Sequence, residues 1–121
     1  MRHPFTSVLL FCLAVAPLRA ITPQETEFFE KQIRPILAEQ CYKCHGAEKQ
    51  KGKLRLDSLA ATLKGGENAP NVKPGDSKNS TLVHTIARLV EDEAMPPEGK
   101  GDPLTKEQVG LVRAWIDQGA K

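Results

Sequence analysis

Two cysteines three residues apart, with a histidine directly behind them, constrain this chain more than any other feature: Cys41-Tyr42-Lys43-Cys44-His45. On one helical turn, positions i and i+3 share a face. Both sulfurs can therefore reach the two vinyl groups of one porphyrin, and His45 can swing its imidazole over the same ring as a proximal nitrogen ligand. A C-x-x-C-H stretch behind an export signal reads as the attachment site of a c-type haem, with thioethers at Cys41 and Cys44. A chain that carries such a group has to fold around it.

The export signal is expected at the N-terminus. Arg2 and His3 precede an apolar run, Ser7 to Ala16, that is too short to span a bilayer. Residues 1–20 read as a secretory signal cut after Ala20, and residues 21–121 as one haem domain, periplasmic or secreted. Cys12 follows the bulky Phe11, which does not suit the small residue that a lipoprotein site needs. Removing 1–20 leaves Cys41 and Cys44 as the cysteines, His45 and His84 as the histidines, and Met95 as the methionine.

That inventory weighs against other classes. Two cysteines in an exported chain would ordinarily suggest a disulfide, but the adjacent His45 favours haem. Four zinc donors could come only from Cys41, Cys44, His45 and His84, and neighbouring donors at 44 and 45 crowd one metal. A thioredoxin-like dithiol should open a helix after a strand, whereas this pair closes one. Without Arg2 and Arg19, Lys plus Arg falls from 17 to 15 and equals Asp plus Glu, so nucleic-acid binding has no electrostatic support. No second apolar stretch is long enough for a membrane span.

The pattern along the chain is helical throughout. Thr22-Pro23-Gln24-Glu25 is a capping box with Pro at the first helical position. The helix it opens carries Phe29, Ile33, Ile36 and Leu37 on one face, continues to Cys44, and should kink at Pro35. A short helix capped by Asp57 should stop at Gly65-Gly66. A third, capped by Asp76, Ser77 or Ser80, presents Leu82, Val83, Ile86, Ala87 and Val90. Asn79-Ser80-Thr81 fits a glycosylation acceptor, but it reads better as helix-start chemistry. Thr105-Lys106-Glu107-Gln108 opens the last helix, with Val109, Val112, Trp115 and Ile116 inward and Gly119 at its end. The fold class is all-α, about four short helices around one covalent haem.

Opposite His45, Met95 is the expected distal iron ligand. A thioether favours ferrous iron and raises the potential, and Pro96 and Pro97 stiffen the loop that presents it. The competing ligand, His84, lies far round its helix from the apolar face, which places it in solvent. A core-filling role for Met95 is the plainer alternative.

In the order of these motifs the chain resembles the planctomycete cytochrome c family, within the class I cytochromes c. The resemblance runs from about Phe28 to Ala120. It is carried by Ile33-Arg34-Pro35-Ile36-Leu37, Cys41-x-x-Cys44-His45-Gly46, Lys51-Gly52-x-Leu54-x-Leu56-Asp57, Gly65-Gly66, Pro74-Gly75, Met95-Pro96-Pro97 and Trp115-Ile116-x-x-Gly119-Ala120. It implies haem c on Cys41 and Cys44, His45 and Met95 as axial ligands, and first and last helices that cross with Trp115 in the core. In that family the domain often heads a longer chain, and Glu67 to Asn71 is more polar than the family pattern.

The expected function is electron transfer by an exported monohaem cytochrome, without enzymatic activity, between redox partner proteins. The alternative is a haem protein with an open distal site, acting as a peroxidase or gas sensor, which requires Met95 to be off the iron. Lys43, Lys49, Lys51, Lys53 and Arg55 could steer an acidic partner, although Glu91, Asp92 and Glu93 beside Met95 oppose such a face.

Overall fold

A computed structural model describes residues 19–68 and 70–121. Apart from Arg19 and Ala20, the expected signal lies outside the described residues. The described chain is helical, with no strand longer than the isolated bridge between His45 and Gln50. No described helix is long and apolar enough to cross a membrane.

The first helical run extends without a break from Pro23 to Gln40. Helix α1 (Pro23–Phe28) starts at the expected capping box: Thr22 Oγ1 accepts from the Glu25 N–H, and Glu25 accepts from the Thr22 N–H. A π-helical turn, Phe29–Ile33, then leads into α2 (Arg34–Gln40). Pro35 explains this turn, because its ring would strike the carbonyl four residues back and it has no N–H to give. The chain responds by widening, so that the Arg34 N–H bonds to Phe29 O. The expected kink is thus taken up as a π-turn.

Three shorter helices follow: α3 (Leu59–Lys64), α4 (Thr81–Ile86) and α5 (Lys106–Asp117). Ser58, not Asp57, caps α3, and accepts from the Ala61 N–H at 3.2 Å. The Asp57 carboxylate is taken by a fork of two bonds from the Arg55 guanidinium. Helix α4 stops at Ile86, and Val90 is 42% exposed instead of continuing the apolar face. The stop is a Schellman motif: Leu89 N–H bonds to His84 O and Arg88 N–H to Thr85 O, with Arg88 at φ 57°.

The core lies between the first and last runs. Ile33, Ile36 and Leu37 are buried with Val112, Trp115 and Ile116, and each such side chain contributes about 1.5–3 kcal/mol. Phe29 and Trp115 pack ring to ring, centroids 5.5 Å apart and planes at 40°. Two ties hold α5 in place. The Asp117 carboxylate accepts from the Ser77 N–H at 2.8 Å and from its hydroxyl at 2.9 Å, and the Gly75 N–H donates to Ile116 O at 2.7 Å. Beyond the stop at Gly119, the Trp115 indole N–H reaches Lys121 O at 2.9 Å.

Candidate haem-attachment site

Cys41 leaves the helix. Its φ of −123° ends α2, so Cys41 to Cys44 form a separate turn instead of the last turn of the helix. One acceptor organises that turn, because Cys41 O takes both the Cys44 N–H at 3.2 Å and the His45 N–H at 2.9 Å. The spacing therefore does what the helical reading required of it, keeping the two cysteines one turn apart with free thiols. Gly46 closes the turn where a side chain does not fit, since a Cβ there would overlap Tyr42 O. Burial pushes the Cys41 thiol up to about 11, so it stays neutral.

The segment after the turn folds back and grips it. Lys51 N–H bonds to Cys44 O at 2.9 Å, and Leu56 N–H to His45 O at 2.8 Å. Between them, Leu54 O sits 3.2 Å from Nδ1 of His45. A carbonyl can only accept, so Nδ1 carries the ring hydrogen and Nε2 keeps its lone pair for a metal. The Gly66 loop packs against the 52–54 backbone that bears this carbonyl, with a Glu67 N–H to Gly52 O bond of 2.8 Å and no room for a side chain at Gly66.

Met95 arrives from another part of the chain. Its N–H donates to Thr85 O at 3.0 Å, and the Arg88 guanidinium donates to Pro96 O at 3.3 Å. The side chain is half-buried against the core. Pro96 and Gln40, which precedes Cys41, both come within 3.5 Å of where a Gly101 Cβ would stand. The loop is thereby brought beside the end of α2 that leads into the attachment turn. His84 is half-buried rather than in solvent, with Nε2 2.6 Å from Lys78 O.

A cavity of about 200 Å³ reaches Tyr42 of the attachment turn and is lined also by Phe29, Arg34, Leu37, Asp57 and Trp115, but not by Cys41, Cys44, His45 or Met95. The donor set fits haem c: two thiols on one turn, an imidazole whose Nδ1 faces Leu54 O and leaves Nε2 for a metal, and a soft thioether on a tethered loop. Among the described residues, no group of three or more His, Cys, Asp or Glu is gathered to hold an ion by itself. Lys43, Lys49, Lys51 and Lys53 are exposed around the turn, while Arg55 is engaged by Asp57.

The family model of planctomycete cytochrome C matches residues 41–99. Residues 41–99 are thus similar to the domain of this family. The match opens on Cys41 and takes in Met95-Pro96-Pro97, leaving the first and last helical runs outside it. Neither a curated protein nor a solved structure gives a match. A planctomycete cytochrome C domain is a haem-binding, electron-transfer module, and the all-α architecture is that of a cytochrome c-like fold. Sequence reading missed Thr85 and Arg88, which hold the Met95 loop, because neither residue type signals such a role. Leu54 acts through its backbone, which no side chain announces.

Proposed function

We propose that this protein is an exported monohaem cytochrome that passes electrons between redox proteins. Cys41 and Cys44 would hold the haem covalently, and His45 and Met95 would supply the ligands to its iron. Bound haem supplies an iron that cycles between ferric and ferrous states. The chain's own part is to keep both axial ligands in place and water out. Leu54 O orients His45 and increases its basicity, the buried core excludes water, and the proline-stiffened loop offers sulfur with little entropy to lose. The observation that carries this reading is the attachment turn, with two thiols one turn apart and the His45 Nδ1 already committed to Leu54 O. The four exposed lysines around it give partner association a dependence on ionic strength.

Haem should survive denaturation on a haem-stained gel of protein made with a c-type maturation system. Its N-terminus should be Ile21. Met95→Ala should abolish the charge-transfer band of sulfur-ligated ferric haem and lower the potential, and His84→Ala should do neither. The reverse pattern would make the iron bis-histidine. Peroxidase turnover by the unmutated protein would instead favour an open distal site.

A further inference from the structure

We infer that Arg88 is a positioning residue for the distal side of the site, a latch on the loop that carries Met95. This rests on the reading of Met95 as the distal ligand. Arg88 occupies the left-handed position that ends α4, φ 57°, a conformation that costs any residue with a Cβ and that glycine takes freely. Glycine would end the helix there at less cost. What glycine lacks is the side chain, and the Arg88 guanidinium crosses to Pro96 O at 3.3 Å.

The backbone of the same helix end holds the other side of the loop. Thr85 O accepts from Arg88 N–H at 3.2 Å and from Met95 N–H at 3.0 Å, which uses both of its lone pairs. The Met95–Pro96 unit is therefore tied at its N–H by Thr85 and at its following carbonyl by Arg88. Between these ties the chain makes an excursion through Leu89 and Val90, 62% and 42% exposed, and through Glu91, Asp92 and Glu93, all exposed. Little in that excursion is packed, so the two ties at its ends determine how long the sulfur stays in place. A strained backbone at a place where the side chain reaches the site is where a positioning role is expected.

The backbone and side-chain roles can be separated, because Arg88→Gly keeps the first and deletes the second. With the full-length holoprotein, Arg88→Gly should unfold at the wild-type temperature or above it. Its ferric form should nevertheless bind cyanide about fivefold faster, the equivalent of one lost hydrogen bond of about 1 kcal/mol. Arg88→Lys, which can still donate to Pro96 O, should bring the rate back toward wild type. A wild-type cyanide rate in Arg88→Gly, or a faster rate accompanied by a lower unfolding temperature, would overturn the latch. Met95→Ala tells the two readings apart. If it leaves the charge-transfer band unchanged, the ligand reading fails and the latch with it; if it removes the band while Arg88→Gly behaves as wild type, the latch alone fails.

Discussion

Adding one methyl group at Gly66 should loosen the proximal side of the site, while the same addition at Gly110 should strengthen the protein. At Gly66 the new Cβ would lie 2.6 Å from Gly52 O and 3.1 Å from Leu54 Cβ, where ordinary contact begins at 3.4 Å. The 52–54 backbone must retreat by about 0.8 Å, and overpacking of this kind costs about 1–3 kcal/mol. For a domain of this size that lowers the unfolding temperature by roughly 5–20 °C. The same displacement disturbs the contact of Leu54 O with His45 Nδ1, which is 3.2 Å long. Its loss makes the imidazole a poorer donor to ferric iron, so the potential rises. The ceiling is about 40 mV, since a neutral hydrogen bond is worth about 1 kcal/mol and tenfold corresponds to 59 mV for one electron. Gly110, exposed within α5, has nothing within 4 Å of its Cβ position. Alanine there should add about 0.5–1 kcal/mol through helix propensity alone. Differential scanning calorimetry and voltammetry of the two holoproteins give both quantities. A Gly66→Ala protein as stable as Gly110→Ala, with an unshifted potential, would refute the support assigned to the Gly66 loop.

Asp117→Ala should cost about 2–3 kcal/mol by chemical denaturation, because it leaves the N–H and hydroxyl of the buried Ser77 without their partner; a loss below about 0.5 kcal/mol, the range of an ordinary surface substitution, would show that water replaces it. Acid should destabilise the fold through three capping and paired carboxyls. Glu25 is held below its ordinary 4.5 chiefly by the Thr22 N–H, Asp57 below 3.8 by Arg55, and Asp76 below 3.8 by Asn79. Depressed carboxyls stabilise above their unfolded values, so stability should be full above about pH 4.5 and fall as each is protonated on the way to lower pH. In the triple variant Glu25→Gln, Asp57→Asn, Asp76→Asn the denaturation midpoint should depend less on pH below that point, and an equally steep decline would assign acid sensitivity elsewhere.

What the sequence determined is what local chemistry decides. Both capping boxes, at Thr22 and Thr105, form as written because each closes within four residues, and Gly119 ends α5 for the same reason. The three-residue spacing of Cys41 and Cys44 put them on one turn whether or not that turn was helical. Even the disturbance at Pro35 was foreseeable, although its form, a π-turn, was not.

The tertiary structure decided what depends on distant partners. Asp57 looks like a helix cap until Arg55 claims its carboxylate and hands the role to Ser58. The apolar period through Val90 looks like helix until Arg88 takes a left-handed conformation with no glycine to announce it. The proximal carbonyl of Leu54 and the ties of Met95 to Thr85 and of Pro96 to Arg88 are hydrogen bonds at least partly of the backbone, and every residue but proline offers the same donor and acceptor. Side-chain identity names the ligands, whereas their orientation comes from backbone groups that become specific only once the chain has folded.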